Sequence, residues 1–99
     1  MQKIQKVREL EKNLQKMQKI LKRAEKEWDN LWDSHKDAFL KISLKNFYLL
    51  RFTLDKMVYS RCLTDEKTIN SLEEKLKDCI MKIARLEDKF VRESVSAQT

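Results

Sequence analysis

The chain has 99 residues with no glycine and no proline, and its formal net charge is +6. Without these two residues it lacks the usual material of tight turns, β-hairpins and phosphate-binding loops, which argues against a β-sandwich, a Rossmann fold and a P-loop enzyme. Charged residues make up 38% of the chain and hydrophobic residues 41%, a balance typical of long solvated helices rather than of disorder. We therefore expect an all-α protein in which residues 1–99 form a single elongated helical domain.

The first predicted element is a basic coiled-coil helix over residues 4–33. A heptad seam over residues 4–31 has an apolar residue at every a and d position, which is a strong coiled-coil pattern. The residues are Val7, Leu10, Leu14, Met17, Leu21, Ala24, Trp28 and Leu31. Residues 1–26 hold nine basic and three acidic side chains, so the strongly basic surface of the chain lies here. The seam begins without an evident capping residue, as in a segment cut from a longer protein.

The second predicted element is an apolar helix over residues 35–60. Ser34 and Asp37 have the spacing of a capping box, which indicates a kink or a short turn before it. Fourteen of the twenty-two residues from 38 to 59 are hydrophobic and surround the helix axis, and such a helix has to be buried on several sides. Residues 40–45 also alternate with the period of a strand. No glycine-containing turn or second strand accompanies them, so we favour a helix.

The same helix carries the predicted partner-binding residues. Its apolar side chains form more hydrophobic surface than a small monomer readily covers, and exposed patches of that extent mark binding surfaces. The residues concerned are Phe39, Phe47, Tyr48, Leu50 and Phe52. Self-association or a different protein subunit would bury them equally well. Upstream, Trp28 and Trp32 share one helix face, where they either widen the core or anchor a partner.

The third predicted element is a C-terminal coiled-coil helix over residues 65–94. We expect a break at 60–64, with Thr64 as the N-cap residue of the helix that follows. A second heptad seam, over residues 66–93, has Ile69, Leu76, Ile83 and Phe90 at a and Leu72, Cys79 and Leu86 at d. This seam is offset by one residue from the first, which indicates a turn or a distortion between them.

The second seam favours a parallel homodimer. Isoleucine at a and leucine at d are typical of parallel two-stranded packing. In a parallel pair Lys82 of one chain would meet Glu87 of the other, whereas an antiparallel pair would set like charges together. The predicted oligomer interface joins both seams: Ile69, Leu72, Leu76, Cys79, Ile83, Leu86 and Phe90, with Leu10, Leu14, Met17, Leu21, Trp28 and Leu31.

Two intramolecular arrangements compete with this dimer. In an antiparallel helical hairpin Glu11 and Glu25 would approach the glutamates of the C-terminal helix, which is mildly unfavourable. A three-helix bundle would use segments of nearly equal length, 2–32, 35–60 and 65–94. A dimer of hairpins would combine self-association with the intramolecular fold.

The sequence offers no candidate catalytic, cofactor-binding or metal-binding site. His35 is the single histidine, so no histidine pair is available to a metal. Cys62 and Cys79 lack the spacing of a zinc site. Acidic pairs such as Glu73 and Glu74 lie side by side on a solvated helix face rather than across a cleft, where they cannot divide the roles of acid and base. We expect a protein that is not an enzyme and uses no cofactor.

The cysteines and the hydropathy pattern favour an intracellular location, in the cytoplasm or the nucleus. Cys62 and Cys79 lie too far apart along a helix to form a disulfide, so we expect free thiols. Residues 1–30 lack the apolar core of a secretory signal. The longest hydrophobic run, Phe47–Leu50, has four residues, whereas a membrane span needs about twenty.

These patterns predict a structural or interaction protein, a coiled-coil subunit that oligomerises and docks another helical protein through its apolar helix. The alternative is a basic helical module that binds an acidic surface of nucleic acid, protein or membrane. Its candidate residues are Lys12, Lys16, Lys19, Lys22 and Arg23. Because lysine dominates and no aromatic residue precedes Trp28, a contact with nucleic acid would be non-specific and sensitive to salt.

Overall fold

The computed structural model describes residues 2–98, with the side chains of residues 5–96, and shows three helices packed against one another. Helix α1 covers Gln2–Lys26, helix α2 covers Asp33–Tyr59 and helix α3 covers Glu66–Gln98, with a short 3-10 turn at Trp28–Asn30. No strand occurs among the residues described, and 40–45 are helical. The all-α fold class is thus confirmed, in its three-helix arrangement. The bundle measures 55 × 20 × 19 Å.

One continuous hydrophobic core runs between the helices. In α1 and α3 its residues recur every three or four positions, which places them on one face of each helix. The buried side chains are Leu10, Leu14, Met17, Leu21, Ala24, Trp28, Leu40, Phe47, Leu50, Leu54, Met57, Leu63, Leu72, Leu76, Cys79, Ile83 and Leu86. Both heptad seams therefore face the interior of a single chain.

Helices α1 and α3 run parallel to each other, and α2 runs antiparallel to both, as expected for three consecutive helices with short connections. The polar pairs between α1 and α3 show this, because their residue numbers rise together. Lys75 Nζ lies 3.0 Å from Glu11 Oε1, and Arg85 Nη2 lies 4.0 Å from Glu25 Oε1. The two glutamates thus lie beside basic residues of α3, and the repulsion expected in an antiparallel hairpin does not arise.

The first helix ends earlier than the sequence predicts. A helix is expected over 4–33, yet α1 ends at Lys26 and Trp28 lies in the 3-10 turn. The indole of Trp28 is buried, and its Nε1 donates to both carboxylate oxygens of Glu93, at 3.1 and 3.2 Å. Insertion of this ring into the core takes the place of the last predicted helical turn.

Helix α2 begins without a side-chain cap. Its N-cap position is Trp32, which makes no capping hydrogen bond. Ser34 lies inside the first helical turn, so the capping box expected with Asp37 does not mark the boundary. The predicted break is present, but it lies at residues 27–32, upstream of Ser34 and Asp37, where the sequence predicts it.

The second connection turns the chain without glycine. Arg61 has a φ of 58°, the left-handed conformation in which helix ends favour glycine. Its N–H donates to the carbonyl of Val58 at 3.1 Å, and Leu63 N–H donates to the carbonyl of Met57 at 3.1 Å. These two bonds satisfy carbonyls at the end of α2 and fold the chain back toward the core, where Leu63 is buried.

Helix α3 begins one residue later than predicted. The carbonyl of Asp65, rather than that of Thr64, accepts the first helical hydrogen bond, from Ile69 N–H at 3.0 Å. Thr68 Oγ1 donates to the Asp65 carboxylate across the first turn. Asp65 therefore occupies the N-cap position, where its negative charge favours the positive end of the helix.

Candidate protein-interaction surface

Helix α2 buries one side and leaves a row of large apolar side chains in solvent on the other. We call this row the outward face of α2; it consists of Ile42, Tyr48, Leu49, Phe52 and Tyr59. Of these, Tyr48 is 72% exposed, Phe52 66% and Tyr59 92%. Their spacing along the helix brings them onto one side of it, opposite the buried residues of α2.

The bundle explains why this face has no cover. Helix α2 has two neighbouring helices, and each can bury only the side that it touches. The sequence predicts burial on several sides for residues 38–59, but within one chain only the inward side is covered. A group of five large apolar side chains exposed on one side of a helix is typical of a protein-interaction surface.

The predicted partner-binding residues divide between the two sides of α2. Phe47 and Leu50 lie in the core, where Phe47 is 3% exposed, and Phe39 is partly buried against it. Tyr48 and Phe52 lie on the outward face. While the bundle stays folded, Phe47 and Leu50 therefore offer a partner far less surface than Tyr48 and Phe52 do.

Sequence reasoning missed three residues of the outward face: Ile42, Leu49 and Tyr59. The sequence does carry a signal for them, because Ile42 and Leu49 lie seven residues apart, Leu49 and Phe52 three, and Phe52 and Tyr59 seven, all spacings that share a helix face. To use this signal one must know which side of α2 faces the core, and the sequence of a helix with apolar residues on every side does not show this.

The predicted oligomer interface lies inside the bundle. Of its residues, ten are core members and three pack against the core while partly exposed: Leu31, Ile69 and Phe90. Helices of one chain thus bury the side chains that the homodimer hypothesis assigns to a second copy. A parallel dimer through residues 66–93 would have to open this core.

The five candidate residues for acidic surfaces are exposed on α1. Arg23 forms an ion pair with Glu27 of the same chain segment at 3.4 Å. Lys12, Lys16, Lys19 and Lys22 form no ion pair with any residue whose side chain is described. Their charges are available to a partner or to solvent.

A buried polar cluster ties the two ends of the first connection to α3. Lys36 is 5% exposed, and its Nζ lies 2.6 Å from Glu93 Oε2. The same ammonium lies 5.0 Å from the ring centroid of Trp28, a cation–π distance. Glu93 accepts from Trp28 as well, so the three groups satisfy one another. We assign this cluster a structural role, because every polar atom in it is already partnered.

Asp78 and Cys79, adjacent on α3, have shifted pKa values. The hydrogen bond from Lys82 holds the pKa of Asp78 below its ordinary value, and a second bond from Gln18 of α1 acts in the same direction. Burial raises the pKa of the Cys79 thiol to about 11, with a further contribution from the Asp78 charge. Cys79 is thus a protonated core side chain rather than a reactive nucleophile.

The remaining chemistry-bearing residues form no reaction centre that the structure shows. The His35 ring stacks on Trp32, with 5.7 Å between the ring centroids. Across the part of the chain that the structure describes, no group of three histidine, cysteine, aspartate or glutamate residues is placed to hold a metal ion. Within the same part, no helix combines the length and the apolar character that crossing a bilayer requires.

Comparison of the chain with protein-family models, with curated protein sequences and with solved structures finds no match in any of the three. The geometry of the chain's own residues therefore carries the functional interpretation.

Proposed function

We propose that this chain is a non-enzymatic interaction protein that docks a partner protein on the outward face of α2. The observation that carries the proposal is the exposure of Tyr48, Phe52 and Tyr59 on the back of a helix whose other side is packed in a core. Removing a side chain such as Phe52 from water is favourable by about 1.5–3 kcal/mol before the costs of association are subtracted. A few such side chains, with tyrosine hydroxyls at the rim, form the usual centre of a protein interface.

A different protein suits this face better than self-assembly through the heptad seams. The seam residues already pack against one another in the closed bundle. A homodimer through residues 66–93 would replace these contacts within one chain by similar contacts between two chains, and it would have to open the core to do so. Docking on α2 leaves the bundle intact. The free thiols of Cys62 and Cys79 support an intracellular setting for the complex, in the cytoplasm or the nucleus.

The second candidate function is binding of an acidic surface through α1. It is favoured by the four exposed lysines Lys12, Lys16, Lys19 and Lys22, which are unpaired within the described side chains. Binding of this kind, to nucleic acid, to an acidic membrane or to an acidic protein, would weaken steeply as salt rises. Binding centred on the outward face of α2 would weaken less with salt and would depend on Phe52 at every salt concentration.

Binding of the captured partner to variants of the chain distinguishes the two candidate functions. A photoreactive phenylalanine in place of Tyr59 captures the partner in cells, and the purified partner is then titrated against the full chain at low and high salt. We expect Phe52→Ser to weaken binding by about tenfold or more. Val91→Ser, which also removes an exposed apolar side chain but on α3, should leave binding unchanged.

Equal binding by Phe52→Ser and the unmodified chain would contradict docking on α2. A steep salt dependence that Lys12→Gln, Lys19→Gln and Lys22→Gln together remove would establish the second candidate in its place, since these three lysines lie outside the cavities between α1 and α2.

A further inference from the structure

We propose that the groove between α1 and α2 receives one amphipathic helix of the partner, with an apolar stripe flanked by acidic residues. This inference rests on the proposed function and specifies the chemistry of the partner. The groove runs beside the outward face of α2 and shares Leu49 and Phe52 with it. We call it the α1–α2 groove.

The seam between α1 and α2 is the open one of the bundle. Polar side chains join α3 to both other helices, for example Lys75 to Glu11 of α1 and Glu93 to Lys36 of α2. Between α1 and α2 no hydrogen bond or ion pair connects any two side chains that the structure describes. Apolar contacts alone therefore hold these two helices together among the side chains that the structure describes.

The α1–α2 groove is long enough for a helix. A cavity of about 600 Å³ is lined by Ile20 and Leu49, among others, and a second of about 400 Å³ by Lys6 and Phe52. Asn13, Leu50 and Thr53 line both cavities, so the two adjoin. From Lys6 to Ile20 the groove follows fifteen residues of α1, which span about 21 Å and match about four turns of a docked helix.

The lining of the groove sets the chemistry of its occupant. Its buried lining residues are apolar, and Ile20 and Leu49 are exposed beside them, while Asn13 and Thr53 add polar groups where the two cavities adjoin. Its charged lining residues are Lys6, Lys16 and Lys56 with a single glutamate, Glu9, and none of the four forms an ion pair among the described side chains. An occupant with leucines toward the floor and carboxylates toward the rim would satisfy both properties.

The geometry and charge also select against a second copy. A copy that presents its own α1–α2 surface brings the same lysines with it, so that like charges would face one another across the interface. A fourth helix from a different protein, lying between two antiparallel helices, instead completes a four-helix arrangement. The acidic flanks make that helix complementary to this groove.

The test uses the full chain and a synthetic probe. The probe is a fluorescent helical peptide of about sixteen residues, with leucine at every third or fourth position and glutamate beside the leucine stripe. A matched peptide carries lysine in place of each glutamate. Fluorescence anisotropy at physiological salt is expected to show binding of the glutamate peptide and binding at least about tenfold weaker for the lysine peptide.

Charge-reversal variants then locate the site. Lys16→Glu with Lys56→Glu should weaken the glutamate peptide about fivefold or more. Lys19→Glu with Lys77→Glu, which makes the same change in net charge at exposed positions outside the groove, should leave its affinity within about twofold. Leu49→Ser should weaken both peptides, because it removes apolar floor without changing charge. Circular dichroism of each variant checks that the bundle remains folded.

Three results would overturn the inference: no binding of the glutamate peptide, equal loss in the two charge-reversal pairs, or a concentration-dependent dimer that Lys16→Glu with Lys56→Glu abolishes. The proposed function has a separate readout in Tyr48→Ser, since Tyr48 lies on the outward face but does not line the groove. If Tyr48→Ser weakens the natural partner while the peptide does not bind, docking on α2 stands and the groove proposal fails.

Discussion

Lys75 of α3 donates a hydrogen bond to Glu11 of α1, with 3.0 Å between Nζ and Oε1. In the heptad frames Lys75 is a g residue and Glu11 an e residue, the positions that face each other between parallel helices. The pair is partly exposed, so its contribution to stability is modest. Taken with the Arg85–Glu25 pair, whose residue numbers are both higher, it shows that α1 and α3 run in the same direction.

A charge-swap series at this pair tests the contact between α1 and α3. We expect Glu11→Lys to lower the free energy of unfolding by about 0.5–1 kcal/mol, since it sets two ammonium groups together. Adding Lys75→Glu should restore most of that loss. Urea denaturation of the two single variants and the double variant gives the coupling energy. Additive single effects would contradict a direct contact between the two side chains.

The buried cluster at Lys36 should be sensitive to loss of its carboxylate. Glu93→Ala leaves the Lys36 ammonium buried and removes the acceptor of Trp28, so we expect a loss of about 2–3 kcal/mol in the free energy of unfolding.

Lys36→Met is the matched control for that prediction. It replaces the charge with an apolar chain of similar length, while the partly exposed Glu93 keeps its bond from Trp28. The loss should therefore be smaller than for Glu93→Ala. The reverse order, measured by chemical denaturation, would show that the cluster does not hold the ends of the bundle together.

Phe47 and Phe52 offer a matched comparison on one helix. Phe47 is in the core and Phe52 on the outward face. Phe47→Ala should cost about 3–5 kcal/mol of stability, because it leaves a cavity, and Phe52→Ala no more than about 0.5 kcal/mol. Thermal denaturation followed by circular dichroism measures both. Similar losses of stability for the two variants would contradict the assignment of Phe47 to the core and Phe52 to the surface.

The two cysteines should react at very different rates. The raised pKa of Cys79, about 11, and its burial keep the thiol protonated and shielded, whereas Cys62 is partly accessible. At pH 8 iodoacetamide should modify Cys62 first and Cys79 only after urea unfolds the chain, as read by mass spectrometry of the peptides. Equal labelling of both in the native protein would contradict the closed core.

The same shift predicts how stability changes at high pH. In the unfolded chain the Cys79 thiol ionises near its ordinary pKa of 9.0, while in the folded chain it stays protonated until about 11. The unfolded state therefore gains from ionisation first, and the free energy of unfolding should fall as pH rises through this window. Cys79→Ala removes this component of the pH dependence, so comparing the slope of the variant with that of the unmodified chain isolates it. Identical slopes would contradict the shift.

The sequence predicts the three helices because the evidence for them is local. Apolar residues at a and d define one face of α1 and of α3, and the absence of glycine and proline leaves little besides helix. The position of the first break could not be predicted as well. It depends on the insertion of Trp28 into the core and on its bond to Glu93, a residue far away in the chain.

The partner of the second seam illustrates a different limit. Isoleucine at a, leucine at d and lysine at g predict a parallel neighbour, and α3 has one in α1. Heptad rules describe the geometry of a contact and do not specify whether the two helices belong to one chain. The same limit applies to α2, where Phe47 and Phe52 are equally apolar and only the placement of α1 and α3 separates core from surface.

The central claim is that both heptad seams close within one chain, which leaves the outward face of α2 for a different protein. Multi-angle light scattering across a range of concentrations tests it most directly. We predict a single species with the 12.0 kDa mass of one chain at every concentration. A species of twice that mass that persists on dilution, with Cys79 cross-linking two copies under mild oxidation, would contradict the claim.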